Sequence, residues 1–212
     1  MRTGRATVYP PGGDFIGRRR IDTHMAGLRA LGVKVEGGDF YTFRAKSLRG
    51  ADILLDEASV TATENILMAA VRAEGLTTIY NAACEPHVQD LGALLIKMGA
   101  RITGLGTNLI RVEGVPGLHA AEHTIGPDYI EVGSYLCAAA ATGGELTVTG
   151  FNDAQTQAVM QRTFGKLGLT WKTSGDSLFQ PPLRFSGGKP ALGGAVPKIE
   201  AGAGPAFRSA LW

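Results

Sequence analysis

Hydrophobic and polar positions follow a pattern that recurs three times along the chain. Each copy reads as a helix end, a glycine that closes the helix, a short strand, a tight turn and a second strand. The three copies occupy residues 28–43, 95–112 and 164–179. Their closing glycines, Gly32, Gly99 and Gly168, are 67 and 69 residues apart. A period near 68 residues indicates a repeated unit of mixed helix and strand.

Two segments between these copies are apolar around most of a helical circumference. They run from about Ala62 to Ala73 and from about Ile130 to Ala141. Each is followed by a glycine and a strand, at Gly75 and at Gly144, which are again 69 residues apart. Helices that are apolar on all sides are buried ones. We therefore expect an α/β fold with helices inside and sheets outside.

The composition is that of a globular protein. Of 212 residues, 44% are hydrophobic and 19% are charged. A net charge of +2 and 7% aromatic residues do not favour nucleic-acid binding. No apolar run approaches the ~18 residues of a membrane helix, and the N-terminus lacks the apolar stretch of a signal peptide. We expect a cytoplasmic protein with no membrane or nucleic-acid partner.

The two cysteines give no sign of a metal site. Cys84 and Cys137 lie in apolar surroundings and lack metal-ligand spacing. We expect both thiols to be buried and unreactive, and we expect neither a metal nor a cofactor.

The segment from Pro10 to Asp22 carries the clearest candidate chemistry. Its first residues are rich in glycine and proline, so they predict a loop. Asp14 lies on this loop, and three arginines, 18–20, follow it. An acid beside clustered guanidinium groups suits a phosphorylated ligand that is to be protonated. The alternative is an exposed turn with solvated arginines.

A second anion-type site is predicted where the first apolar helix begins. Thr61 and Glu64 have capping-box spacing, and Ser59 could cap the helix one turn earlier. The N–H groups and dipole of a helix N-terminus attract phosphate, which would bind near residues 59–61. The alternative is an ordinary N-cap without a ligand.

Three further pairs of residues have an open interpretation. Glu85 and His87 follow a strand and could face a ligand, although such loop residues are often only solvated. Asp128 and Glu131 flank the second apolar helix, where acids are commonly stabilised by the helix dipole. Asp22 and His24 would share a face if their segment were extended. No serine or cysteine motif supports nucleophilic catalysis.

Taken together, these segments resemble the UDP-N-acetylglucosamine 1-carboxyvinyltransferase family of enolpyruvyl transferases. The resemblance is most specific in the loop 11–24, and it continues through nearly the whole chain, at 56–64, 81–86, 99–106, 127–133 and 194–199. It implies an inside-out α/β barrel fold, with two domains of three repeats each. Residues 1–125 would then form most of the first domain, without its first repeat, and residues 126–212 the start of the second.

The resemblance also implies an activity and a set of site residues. The family transfers the enolpyruvyl group of phosphoenolpyruvate to the 3-hydroxyl of UDP-N-acetylglucosamine, which begins peptidoglycan precursor synthesis. Asp14 stands where the family usually has a reactive cysteine, and it would be the general acid. Arg19 would contact phosphate. The implied substrate-binding residues are Arg19, Arg20, Ile21, Asp22 and Thr23 for uridine, Ser59, Val60 and Thr61 for diphosphate, and Glu85, Asp128 and Glu131 along the cleft.

The chain also departs from the family pattern. The family's catalytic base is an aspartate in a Pro-Ala-Phe-x-x-Asp-Leu context, where residues 205–211 place Ala210. The family's first-repeat lysine–asparagine motif and several arginines have no counterpart. We therefore expect weak substrate binding and an isolated chain without turnover. The alternatives are a non-catalytic UDP-sugar-binding remnant and, with less support, a 3-phosphoshikimate 1-carboxyvinyltransferase. The oligomeric state is left open.

Overall fold

A computed structural model describes residues 3–9 and 21–183. The predicted site residues Asp14, Arg19 and Arg20, and also Ala210, lie outside the described residues. The chain divides into two compact units, Met1–Thr124 and Ile125–Trp212. Their assignment to the first and second domains of an enolpyruvyl transferase stays a prediction.

The described residues of the first unit form two sheets and three helices. Its elements are β1 Arg5–Val8, α1 Asp22–Ala30, β2 Lys34–Glu36, β3 Tyr41–Arg44, β4 Asp52–Leu54, α2 Val60–Ala70, β5 Leu76–Tyr80, α3 Pro86–Lys97, β6 Arg101–Thr103 and β7 Leu109–Glu113. One sheet has the strand order β1-β3-β2 and is antiparallel throughout. The other has the order β4-β5-β7-β6, in which only β4 and β5 are parallel.

The second unit contains one described sheet and two helices. Its elements are α4 Tyr129–Thr142, β8 Leu146–Val148, α5 Ala154–Gly165, β9 Lys172–Ser174 and β10 Ser177–Gln180. The strands form an antiparallel sheet in the order β8-β10-β9.

The predicted repeat is confirmed by the strand pairing. Each copy consists of a strand, a helix and a hairpin of two further strands. In the sheet, the last of the three strands lies between the other two: β1-β3-β2, β5-β7-β6 and β8-β10-β9. Gly32, Gly99 and Gly168 have φ values of 94°, 100° and 84°. Glycine is preferred there because these left-handed angles strain other residues. One detail differs, because the left-handed residue that closes α4 is Gly143 rather than Gly144.

Helix α2 forms the centre of the first unit, as its apolar sequence predicts. Ala62, Ile66 and Leu67 are fully buried, and Ile79 of β5 and Ile110 of β7 join the same core. Helices α1 and α3 both pack against α2. Helices therefore line the inside of this unit and sheets cover them.

Helices α1 and α2 approach closely at one position. A Cβ atom added to Gly27 of α1 would lie 2.1 Å from Cδ1 of Ile66 on α2. Because Ile66 is fully buried, it has no solvent-filled space into which to turn. Gly27 is thus the residue that permits this helix–helix distance.

Helix α4 is less buried than its sequence predicts. One face, with Val132, Leu136 and Ala140, packs into the core of the second unit. Tyr135 is 57% exposed, and Ala138 on the same side is exposed as well. The alanine-rich sequence of α4 predicts burial because alanine is apolar. Alanine is also small and common on surfaces, so the face of α4 with Tyr135 and Ala138 can stay exposed.

None of the helices within 3–9 and 21–183 combines the length and hydropathy needed to cross a membrane.

Candidate functional site

The predicted uridine segment leads directly into α1. Ile21 is the N-cap residue, Asp22 is the first helical residue and lies exposed, and Thr23 is 1% exposed. The expectation that Asp22 and His24 share a face of an extended segment is wrong. Two residues apart on a helix, they point about 200° away from each other. An aspartate in the first turn favours the helix through its dipole.

The predicted diphosphate turn is the N-terminus of α2. Ser59 is the N-cap residue in extended conformation, and its Oγ accepts a hydrogen bond of 3.3 Å from the Ala62 amide. Ser59 therefore caps the helix, and the capping box predicted for Thr61 and Glu64 does not form. Val60 and Thr61 lie in the first turn, where helix N–H groups have no acceptor within the helix.

His24 connects these two segments. Its Nδ1 lies 2.8 Å from the amide Nδ2 of Asn65, and its Nε2 lies 3.4 Å from Oγ1 of Thr61. Both partners are on α2, 37 and 41 residues further along the chain. The structure thus brings the residues 21–23 and 59–61 together at neighbouring helix N-termini.

The burial of His24 predicts a specific acid sensitivity. Burial lowers the pKa of the imidazole below its ordinary value, and the nearby Glu57 carboxylate partly opposes this shift. The unfolded chain therefore takes up a proton near pH 6.5, where the folded ring is still neutral. The contribution of neutral His24 to the stability of the fold is fully present above pH 6.5 and is lost as the pH falls through the pKa of the folded state.

We expect the free energy of unfolding to depend less on pH between 7 and 5 in His24→Gln than in the unmodified chain. Urea denaturation at several pH values measures this difference, and all other titrating groups are common to both chains. An equal dependence of the unfolding free energy on pH in both chains would contradict the expectation.

Glu85 lies buried close to the same end of α2. It is the N-cap residue of α3, it is only 3% exposed, and its Oε2 has no hydrogen-bond partner among the described residues. The preceding loop is fixed to α2, because the Ala83 amide donates to Oγ1 of Thr63 at 3.0 Å. A buried carboxylate oxygen without a donor is costly, and a ligand hydroxyl could supply that donor.

Sequence reasoning missed Glu64 and His24 as parts of the site. Burial raises the pKa of Glu64, and so does the carboxylate of Glu85, while His87 lowers it. Glu64 was predicted only as a capping residue and His24 only as a partner of Asp22. Neither the burial nor the long-range contacts leave a local pattern in the sequence.

Asp128 and Glu131 lie in the second unit. Asp128 is the N-cap residue of α4, and its Oδ1 accepts hydrogen bonds from the amides of Ile130 at 2.8 Å and Glu131 at 3.3 Å. Glu131 is exposed in the first turn. The geometry thus matches the helix-stabilising interpretation, and their part in a substrate cleft stays a prediction.

The cysteines are only half-buried, so the prediction that they are buried is wrong. Both are free thiols, and burial raises the pKa of Cys84 and of Cys137. Glu85 contributes to the shift at Cys84. A raised pKa leaves little thiolate at neutral pH, which is consistent with low reactivity. In the part of the chain that the structure describes, no three His, Cys, Asp or Glu residues are grouped to hold a metal ion.

Curated proteins similar to this chain include several UDP-N-acetylglucosamine 1-carboxyvinyltransferases. The chain is 50% identical over 206 residues to a UDP-N-acetylglucosamine 1-carboxyvinyltransferase of Treponema denticola, which covers 97% of this chain and 48% of that protein. It is 45% identical to the enzyme of that name from Bradyrhizobium diazoefficiens, covering 99% of this chain and 48% of that protein. The chain therefore spans about half the length of these relatives.

Comparison with solved structures supports the fold. The enolpyruvyl transferase NikO from Streptomyces tendae matches with a TM-score of 0.72 and 22% identity, over 86% of this chain and 44% of NikO. An EPSP synthase from Acinetobacter baumannii matches with a TM-score of 0.58 and 18% identity, over 83% and 41% of the two chains. Both confirm the predicted inside-out α/β architecture.

A family model described as EPSP synthase (3-phosphoshikimate 1-carboxyvinyltransferase) matches residues 2–186. This range includes all three strand-helix-hairpin repeats and both helix N-termini of the candidate site. The relatives' shared name confirms the resemblance drawn from the loop and the two helix starts. The chain belongs to the EPSP synthase family of enolpyruvyl transferases.

Proposed function

We propose that this chain carries the nucleotide-sugar site of a UDP-N-acetylglucosamine 1-carboxyvinyltransferase. The reaction transfers the enolpyruvyl group of phosphoenolpyruvate to the sugar 3-hydroxyl and releases phosphate. One observation carries the proposal: the segments 21–23 and 59–61, which the resemblance assigns to uridine and diphosphate, lie at adjacent helix N-termini joined through His24. The relatives' names support the same substrate.

The chemistry of these residues suits a nucleotide diphosphate sugar. The N-terminal amides and dipole of α2 would bind the diphosphate, together with the hydroxyl groups of Ser59 and Thr61. Asp22 would accept a hydrogen bond from the uracil base. The buried carboxylate of Glu85 would accept one from a sugar hydroxyl.

The loop before α1 would supply the chemistry on phosphoenolpyruvate. Asp14, as a carboxylic acid, would donate a proton to the methylene carbon, and Arg19 would neutralise the phosphate. Both substrates are small cytoplasmic metabolites, so we place the protein in the cytoplasm.

Shikimate 3-phosphate is a second candidate acceptor, because the matching family model is described as EPSP synthase. The likeness to a solved EPSP synthase is only 18% in sequence and concerns the fold alone. Relatives at 45–50% identity have the UDP-N-acetylglucosamine name. We therefore favour the nucleotide sugar. A UDP-sugar-binding protein without catalysis is the other alternative, and it shares the binding site proposed above.

Calorimetric titration of the 212-residue chain with UDP-N-acetylglucosamine tests the proposal. We expect weak, saturable binding that exceeds the binding of shikimate 3-phosphate. Ser59→Ala should weaken it about tenfold or more, since a hydrogen bond to a charged group contributes roughly 1.5–3 kcal/mol.

Loss of a helix cap alone also destabilises the fold, so the experiment needs a matched control. Asp153 is the N-cap residue of α5 in the second unit, where it accepts from the amides of Gln155 and Thr156. Asp153→Ala should lower stability by a similar amount, about 1 kcal/mol, and leave the affinity unchanged. Equal affinity for UDP-N-acetylglucosamine and shikimate 3-phosphate would refute the proposed substrate.

A further inference from the structure

We propose that His24 is a positioning residue that sets both the spacing of the two nucleotide-binding segments and the orientation of the Thr61 hydroxyl. The inference rests on the proposed function. It concerns a residue that would not itself touch the substrate, and it assigns the imidazole a structural task at the point where α1 meets α2.

The hydrogen bonds determine which ring nitrogen has the proton. The amide Nδ2 of Asn65 can only donate, so Nδ1 of His24 is the acceptor in their 2.8 Å contact. In the neutral ring the proton is then on Nε2, which faces Oγ1 of Thr61 at 3.4 Å. The ring thus accepts from one α2 side chain and donates to another.

This arrangement decides what the Thr61 hydroxyl can do. A hydroxyl group has one hydrogen to donate and two lone pairs with which to accept. When Thr61 Oγ1 accepts from His24, its own hydrogen points away from the ring and remains available for a phosphate oxygen. Donation from the imidazole also polarises the hydroxyl and strengthens its own hydrogen bond.

The contact acts together with the close approach of α1 and α2 at Gly27. His24 and Gly27 are three residues apart, so both lie on the α1 face that meets α2. Gly27 sets how closely the helices approach, because its missing side chain leaves room for Ile66. His24 adds directional hydrogen bonds one turn nearer to Asp22. The spacing between residues 21–23 and 59–61 is thereby fixed at the helix ends.

A series of substitutions in the 212-residue chain tests the role of each ring nitrogen. The amide nitrogen of glutamine can replace Nε2, whereas asparagine is too short to reach Thr61. His24→Gln should therefore retain most of the affinity for UDP-N-acetylglucosamine. His24→Asn and His24→Phe should each weaken binding roughly five- to tenfold. His119→Phe is the matched control, because His119 lies beside Gly99 after the C-terminus of α3, and its affinity should not change.

A double-mutant cycle tests the link to Thr61. Thr61→Val removes the hydroxyl at nearly constant shape and should weaken binding at least as much as His24→Phe. Combining them should add little, because both remove one coupled interaction. Two outcomes would overturn the inference. One is a double variant whose loss of affinity equals the product of the two single losses, and the other is unchanged affinity in His24→Asn and His24→Phe.

A measurement without ligand separates this role from general stability. Nitrogen-15 spectra of the imidazole should show the Nε2–H form in the free chain, and Asn65→Asp should shift it toward Nδ1–H. Finding Nδ1–H in the unmodified chain would contradict the inference. If the unmodified chain fails to bind UDP-N-acetylglucosamine, the proposed function fails and the inference with it. If the unmodified chain binds and the His24 substitutions leave its affinity unchanged, the inference alone fails.

Discussion

Gly27→Ala should destabilise the first unit by about 2 kcal/mol, although alanine is the better helix former. The new Cβ atom would lie 2.1 Å from Cδ1 and 2.5 Å from Cγ1 of Ile66, a fully buried side chain. Overpacking of this kind costs up to about 3 kcal/mol, while the gain in helix propensity is at most about 1 kcal/mol. Urea denaturation measures the difference.

The chain offers a matched control for this substitution. Gly165 is also helical, at the end of α5, and a Cβ atom there would meet nothing within 4 Å. Gly165→Ala should therefore be neutral or stabilising. Ile66→Ala should be far less harmful in the Gly27→Ala background than alone, because the new methyl group occupies part of the vacated space. A stabilising Gly27→Ala would show that α1 does not pack against α2 at this distance.

The second large effect concerns turnover. Enolpyruvyl transfer requires a proton delivered to the methylene carbon and a proton removed from the sugar hydroxyl, and each positioned group contributes about 10²–10⁴-fold. The resemblance assigns the first role to Asp14 and places Ala210 where the family has its base. Alanine cannot accept a proton. The 212-residue chain, given both substrates, should therefore release phosphate no faster than Asp14→Ala.

A phosphate-release assay with and without UDP-N-acetylglucosamine decides this point. Release that needs both substrates and disappears in Asp14→Ala would contradict the expectation and assign the base to another residue. Ala210→Asp is the informative companion variant. If the base is the limiting deficiency, this variant should show release that depends on Asp14.

The repeat could be predicted because its determinants are local. Gly32, Gly99 and Gly168 adopt left-handed angles that favour glycine, and each precedes a short alternating segment. The parallel pairing of β4 with β5 has no such signal, since α2 lies between the two strands. The exposed face of α4 was also unpredictable, because alanine composition does not reveal whether a neighbour is present.

The site was predictable only in part, for a similar reason. Ser59 and Glu85 were predicted because chain position and the family resemblance pointed to them, and their part in substrate binding stays a prediction. Their exact roles depend on tertiary contacts, such as the burial of Glu85 at the start of α3. The contact between His24 and Asn65 joins residues 41 positions apart, so no local pattern records it. The helical conformation of Asp22 was missed because the glycine-rich loop just before it favours extended structure.

The strand order that the three repeats share has a consequence for solubility. Because the third strand of each repeat lies in the middle, the second strand lies at the edge of each described sheet: β2, β6 and β9. Exposed edges invite pairing with other chains and so promote aggregation. Each of these edge strands begins with an exposed cation, Lys34, Arg101 or Lys172. Pairing such an edge with another chain would remove a charged side chain from water, so each of these edges has a feature that disfavours sheet-to-sheet association.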